Sequence, residues 1–224
     1  MNKAAIAIDG PSGAGKSTIS KLIAKAFGFT YVDTGAIYRT VGVYAYRNGI
    51  DPKNAVEVER ALADINIEIK HEKAMQRLYL NGEDVTDAIR EHIISQYASD
   101  VSAIPAVRAF LLDMQRGFAL RDNVIMDGRD IGTVVLPDAK IKIFLTATDE
   151  DRARRRYEEL LLKGQDVSFE KVLADMRLRD EQDSSRAVAP LVPASDAIMV
   201  DTTGNTLEQS VELLKEIISA RLGE

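Results

Sequence analysis

The stretch AIAIDGPSGAGKSTISKLIAKAFG, residues 5–28, passes from a short apolar run through a glycine-rich turn into a helical pattern. Ala4 to Asp9 is apolar and bounded by Gly10-Pro11, which predicts a buried strand. From Ser17 to Phe27 the apolar residues Ile19, Leu22, Ile23 and Ala26 keep helical spacing, and Gly28 is the stop signal. Between them, Gly10-Pro11-Ser12-Gly13-Ala14-Gly15-Lys16-Ser17 matches G-x-x-x-x-G-K-[ST] in full. Glycines let the backbone curl so that successive N–H groups point at phosphate oxygens, and the following helix aims its positive end at the same anion. Lys16 has the reach for β- and γ-phosphates, and the Ser17 hydroxyl is placed for Mg²⁺. A glycine turn with a chance lysine is the plain alternative. The full match, with a strand before it and a helix after it, favours a loop that holds a nucleoside triphosphate.

Outward from this stretch, Phe29 to Val32 predicts a second strand ending in Asp33-Thr34-Gly35, and Ala36 to Arg47 a helix closed by Asn48-Gly49. IEIKHE and RLYLNGEDV alternate apolar and polar residues, so Ile65 to Val85 reads as a small antiparallel sheet inserted into the main domain. Pro105 to Leu120 is helical. Val124 to Met126 is a buried strand ending in Asp127-Gly128-Arg129-Asp130, and Ile141 to Leu145 is another. Charged helices follow over Glu150 to Leu162 and Val167 to Asp180. A proline loop covers Ser184 to Ser195, a last strand Ala197 to Val200, and an amphipathic helix Thr206 to Leu222. Strands alternating with helices imply an α/β fold, a parallel sheet covered by helices on both faces. In such sheets ligands sit outside the carboxyl ends of the strands. Gly10 to Ser17, Asp33 to Arg39 and Asp127 to Asp130 are all strand ends of that kind.

The composition bounds the rest. A chain of 224 residues with 46% hydrophobic and 29% charged residues suits one soluble core. Its net charge of −6 argues against a nucleic-acid partner, which needs a basic face. No run approaches the roughly 20 apolar residues that span a bilayer, so no membrane partner is expected. The N-terminus does not read as a signal peptide. With no cysteine, disulfides, thiolate chemistry and cysteine zinc sites are excluded, which suits the cytoplasm. His71 and His92 are isolated and are assigned to surface or packing roles. Nothing demands more than a monomer.

A guanidinium gives bidentate contacts to phosphate and keeps its charge. Arg39, on the first turns of its helix, and Arg129, after the third strand, are therefore candidate phosphate ligands. Taken alone, Arg39 is equally a surface arginine beside a helix cap at Asp33 or Thr34. Asp127 could support a Mg²⁺ water, and Asp130 could accept from an amine or a ribose hydroxyl. Arg152, Arg154, Arg155 and Arg156 lie on one helix. They are either a solvated face paired with Glu158 and Glu159 or a cover that brings arginines over phosphates and excludes water; the density of the cluster favours the cover. Arg177, Arg179, Asp180, Asp183 and Arg186 precede the proline loop.

IDGPSGAGKST (8–18), DTGAIYR (33–39), DGRDIGTVVLPDA (127–139) and SRAVAPLVPA (185–194) together resemble the bacterial cytidylate kinases. The resemblance spans nearly the whole chain, and its last two motifs are not general to loop-type kinases. It implies transfer of the γ-phosphoryl group of ATP to CMP or dCMP, with Mg²⁺. It implies ATP at Gly10, Pro11, Ser12, Gly13, Ala14, Gly15, Lys16, Ser17 and Thr18, with Arg155 and Arg156 over the phosphates and Ser17 on the metal. It implies that Arg39 and Arg129 hold the CMP phosphate. Thr34, Arg108, Asp130 and Arg186 would face cytosine, and Ser99, Arg179 and Asp183 the pentose. Lys16, Arg129 and Arg39 would carry the catalytic charge. Residues 1–224 would form one kinase domain, with an acceptor-binding region over about 36–104, including the inserted sheet, and a lid over about 149–168. Family members often carry serine where Thr34 stands; the hydroxyl is kept. Two other readings stay open on the residues: a different acceptor, such as another nucleoside monophosphate, shikimate or dephospho-coenzyme A, and a nucleotide-gated binding module without phosphoryl transfer.

Overall fold

The computed structural model describes residues 3–72, 75–162 and 164–223. Positions 73 and 74 of the expected small sheet and 163 of the expected lid lie outside them. The chain divides into two compact units, one formed by Met1–Thr30 with Asn123–Glu224, the other by Tyr31–Asp122.

The first unit is built on strands β1 (Ala5–Asp9), β6 (Val124–Gly128), β7 (Ile141–Thr146) and β8 (Ile198–Asp201). β1 pairs in parallel with β6 on one side and β7 on the other, and β8 pairs in parallel with β7. β2 (Thr30–Asp33), where the chain passes into the second unit, is the outer strand beyond β6 in the order β2-β6-β1-β7-β8. Ile6, Ala7 and Ile8 are completely buried, as a central strand covered on both faces requires. The register sets Ile8 beside Asp127 and Asp9 beside Gly128, so the glycine-rich turn and the DGRD turn leave the sheet side by side. Gly10, with φ 149°, allows no side chain there, because a Cβ would fall on the Leu145 carbonyl oxygen of β7.

The helices of this unit are α1 (Lys16–Phe27), α6 (Asp149–Leu162), α7 (Phe169–Ser184) and α8 (Leu207–Leu222). α1 packs against β6 and α8. α8 starts on a capping box, in which Thr206 accepts from the Gln209 N–H and the Gln209 side chain accepts from the Thr206 N–H. α6 and α7 close on each other through Ala153, Leu160, Val172 and Met176. α7 starts two residues later and runs four residues further than its apolar spacing predicts. Ser168 caps its start, and Asp183 is consequently a helical residue.

The second unit holds α2 (Thr34–Arg47), α3 (Ala55–Ala61), α4 (His92–Ser102), α5 (Pro105–Arg121) and an antiparallel sheet of β3 (Ile67–Glu72), β4 (Met75–Leu80) and β5 (Glu83–Asp84). The sheet is the one expected from the alternation, which buries Ile67, Leu78 and Leu80. Neither α3 nor α4 was expected. α4 buries Ile94, Ala98 and Val101 at helical spacing, but no side chain caps its start, so the usual start signal is missing. Gly42 lets α2 and α4 approach: a Cβ there would lie 3.2 Å from the Ala98 nitrogen and 3.4 Å from the Ile94 oxygen. Both neighbours are backbone and cannot rotate away. Gly42→Val is therefore expected to destabilise the protein by about 2–3 kcal/mol, an overpacking effect, read as a lower urea midpoint at unchanged slope.

Candidate active site

The loop between β1 and α1 has left-handed glycines at Gly13 (φ 74°) and Gly15 (φ 84°). Gly15 is the N-cap of α1, and no side chain caps the helix. The N–H groups of the first turn thus face outward with the positive end of the helix, the arrangement that binds phosphate. Gly13 is closed in from above: a Cβ would lie 2.6 Å from the Met176 terminal methyl and 3.1 Å from the Arg152 carbonyl oxygen.

Lys16 is buried, and its Nζ donates to the Pro11 carbonyl at 2.6 Å, folding back over the loop. Burial holds this ammonium well below the ordinary lysine range, and the charge of Arg129 pushes the same way, as does that of Arg179 more weakly. Asp127 and Asp9 pull it back up. Three cations therefore bear on one buried place. An anion there relieves their repulsion, and a polyphosphate supplies the largest such charge.

Ser17 donates its hydroxyl hydrogen to Asp127 Oδ2 at 2.7 Å. This hydroxyl and carboxylate form a hard, all-oxygen pair beside the loop, the donor chemistry Mg²⁺ prefers, so the residues fit that ion. Asp9 is the site residue sequence reasoning missed. Its Oδ1 accepts from the Ile131 N–H and its Oδ2 from the Gly132 N–H, both at 2.7 Å. It thereby fixes the π-helical turn of Ile131–Val135 that follows the DGRD motif. The available signal was a carboxylate closing an apolar central strand directly before the loop.

Arg129 Nε donates to Asp183 Oδ2 at 2.7 Å, and Arg186 donates to Asp183 Oδ1. Asp183, completely buried, thus joins two of the expected substrate arginines. Asp130 is buried, and Arg179 is half-buried on α7. On α6 the arginines differ in kind. Arg152 is buried and donates to the Ser12 carbonyl (2.8 Å), the Ala147 carbonyl (3.0 Å), Asp180 (2.6 Å) and Asp149, so it fastens the phosphate loop to α6 and α7. Arg155 donates to the Thr202 carbonyl at 2.7 Å, and its Nη1 would lie 3.8 Å from a Cβ on Gly15. Arg156 pairs with Glu159 at 2.7 Å, and Arg154 is exposed. Thr18 is exposed on the first turn of α1.

In the second unit, Asp33 caps α2 by accepting from the Ala36 N–H at 2.8 Å, and it holds Arg39 at 3.0 Å. Thr34 is buried as the first residue of that helix. Arg108 is buried on α5; it donates to the Ser102 carbonyl at 3.1 Å and stands over the Tyr38 ring at 5.5 Å. The Ser102 hydroxyl donates to the Ser99 carbonyl at 2.8 Å, so Ser99 and Arg108 share the C-terminal end of α4. His71 is exposed, as expected, but its Nε2–H donates to the Tyr31 carbonyl at 2.8 Å.

A phosphate-binding loop on the central strand of a parallel sheet, with lysine, serine and a carboxylate of the neighbouring strand around it, defines a nucleotide-binding protein of the P-loop class. Residues 6–220 match the family model described as cytidylate kinase. A cytidylate kinase of Caldanaerobacter subterraneus subsp. tengcongensis is 52% identical over 216 residues, covering 95% of this chain and 93% of its own. One of Carboxydothermus hydrogenoformans is 48% identical over 216 residues, covering 96% and 97%. The fold is shared, at a TM-score of 0.54 and 13% identity, with an uncharacterized protein from Eubacterium ventriosum, over 97% of this chain and 99% of that one. The chain belongs to the cytidylate kinase family. It is an enzyme, a nucleoside monophosphate kinase, and ATP is its phosphoryl donor. No described helix is long and apolar enough to cross a membrane.

Burial raises the Asp9 carboxyl from 3.8 to about 6, against the pull of the Gly132 and Ile131 N–H groups. For a carboxyl raised on folding, the folded chain holds the proton more tightly. Its stabilising contribution is present below pH 3.8 and is lost as pH rises through about 6. Asp9→Asn removes this titration. Relative to the variant, the parent chain is expected to lose about 2 kcal/mol between pH 4 and 7.5, measured by urea unfolding at the two pH values. Parallel pH dependence of the two proteins would contradict the assignment.

Proposed function

We propose that the protein transfers the γ-phosphoryl group of ATP directly to CMP and dCMP, giving ADP with CDP or dCDP, in pyrimidine nucleotide metabolism, and that it works in the cytoplasm as a monomer. The observation that carries this reading is the uncapped, glycine-cradled helix start with buried Lys16 and the Ser17–Asp127 pair beside it, in a chain of this family. Residues 1–224 act as one kinase domain. About 36–104 is the acceptor-binding region and about 149–168 the lid that excludes water.

The glycine-rich loop, Gly10 to Thr18, takes the ATP phosphates through its N–H groups. Lys16 turns from the Pro11 carbonyl to the β- and γ-oxygens, where the negative charge of the triphosphate favours its ammonium form. Ser17 and Asp127 would hold Mg²⁺, which would neutralise phosphate charge during transfer. Arg39 and Arg129 hold the CMP phosphate, aided at the ATP side by Arg155 and Arg156. Thr34, Arg108, Asp130 and Arg186 face cytosine, while Ser99, Arg179 and Asp183 face the pentose. An oxygen of the CMP phosphate attacks the γ-phosphorus, the bond to the β-bridging oxygen breaks, and ADP leaves. A phosphate nucleophile that is already ionised needs no base, so positioning and electrostatics carry the rate. The guanidinium groups let two anions approach, and their effect grows once the site is dry.

Lys16→Ala is expected to lower turnover by about two to three orders of magnitude, as loss of a transition-state donor does, while CMP affinity stays near normal. A coupled assay of ADP formation and calorimetry with CMP measure the two, and near-normal turnover would sink the role. Arg39→Ala and Arg129→Ala should each raise the KM for CMP about tenfold or more, with a much smaller effect on ATP, because a charged bidentate contact is lost on one side only. Equal effects on both nucleotides would reject the assignment. The same assay run on CMP, dCMP, UMP and AMP tests the acceptor.

A further inference from the structure

We infer that Gln76, on β4 of the small sheet, is a positioning residue for the acceptor phosphate, acting through Asp33 on Arg39. The inference rests on the reading above that Arg39 holds that phosphate. Gln76 meets the last residue of β2 twice: its Oε1 accepts from the Asp33 N–H at 2.8 Å, and its Nε2 donates to the Asp33 carbonyl at 3.2 Å. Its amide thus pairs with both peptide groups of one residue, as a neighbouring strand does. His71 stands directly opposite Gln76 in the β3–β4 register, and it donates to the Tyr31 carbonyl at 2.8 Å. Tyr31 and Asp33 are two residues apart, so their peptide groups face the same edge of β2. β2 ends the order of its sheet. Two facing side chains of the small sheet therefore take the place of a further strand along that edge.

Asp33 passes the constraint on. Its backbone is held by Gln76, its Oδ1 by the Ala36 N–H at 2.8 Å, and its Oδ2 receives Arg39 Nη2 at 3.0 Å. The carboxylate therefore has little freedom to rotate, and neither has the guanidinium it holds. Gly35 completes the fit: a Cβ there would lie 3.2 Å from both Arg39 Nη1 and Asp33 Oδ1. The guanidinium is thus laid across the turn that Gln76 anchors. Releasing Asp33 lets the cap and the arginine shift together, and a planar fork tolerates such a shift poorly. Gln76 touches neither nucleotide in this scheme; it acts by keeping a phosphate ligand in place.

The test compares the parent chain with Gln76→Ala, Gln76→Met, Arg39→Ala and the Gln76→Ala/Arg39→Ala pair. CMP binding is measured by calorimetry, and KM and kcat are measured for both nucleotides. Gln76→Met keeps the volume and loses both hydrogen bonds, so it separates bonding from packing. Both Gln76 variants are expected to weaken CMP binding about five- to tenfold, a partial loss of the charged bidentate contact that a misplaced Arg39 fork would make, with the KM for ATP within about twofold. In the Arg39→Ala background the Gln76 change should add less than about twofold, because the residue it positions is gone. An equal factor in both backgrounds, parent-like CMP binding by Gln76→Met, or equal weakening of ATP and CMP would overturn the inference. Parent-like CMP binding by Arg39→Ala alone would instead remove the reading of Arg39 itself.

Discussion

The structure depends most on a buried ammonium that is poorly stabilised by its surroundings. The charges of Arg129 and Arg179 bear on Lys16 and those of Asp127 and Asp9 oppose them, while its own hydrogen bond goes to the Pro11 carbonyl. A lysine so placed lowers the stability of the empty protein, because charge is removed from water and set near like charge. The arrangement makes physical sense when a polyanion occupies the loop. Affinity and catalysis then draw on the same repulsion: it is relieved by phosphate, and relieved most when negative charge is concentrated between donor and acceptor.

The rest of the first unit keeps that cluster in place. Asp9 closes the central strand and grips two N–H groups of the turn after β6, so the loop side and the DGRD side share one anchor. Arg152 does similar work from above, tying the Ser12 carbonyl to Asp180 and the end of β7. It lies on the helix expected to cover the phosphates, but its own contacts are internal. Its neighbour Arg155 reaches towards Gly15 at the helix start, and Arg156 is turned to Glu159. One arginine-rich stretch thus divides by helical position into a fastener, a residue over the loop and solvent-side residues.

Most of the fold was legible because its signals are local. The strand-turn-helix of residues 5–28, the alternating hairpin and the charged strand ends each announce themselves within a few residues. What escaped needs partners distant in sequence. Nothing near Asp9 shows that residues 131 and 132 will donate to it, and nothing in MQRLYL marks Gln76 as the partner of Asp33. α4 was missed for a different reason: its apolar spacing was readable, but Glu91 supplies no side-chain cap. α7 ran further than predicted because its last turns are polar on most faces, and their one buried residue, Asp183, owes its burial to Arg129 and Arg186.

Both arginines assigned to the acceptor phosphate are already held by a carboxylate, Arg39 by Asp33 and Arg129 by Asp183. At first sight such pairing competes with substrate. A guanidinium, however, presents five N–H groups in one plane, and a partner on one side fixes that plane without using the whole fork. Less orientation is then lost when phosphate binds, and the ordering cost of a long flexible side chain is met during folding. The carboxylates also trim the positive charge offered to the ligand. A weak anion gains little from arginines already partly neutralised, whereas a phosphate dianion still gains a charged bidentate contact. Pre-pairing therefore trades some raw attraction for orientation and for preference towards the more highly charged ligand, which suits a site that must align one phosphate against another.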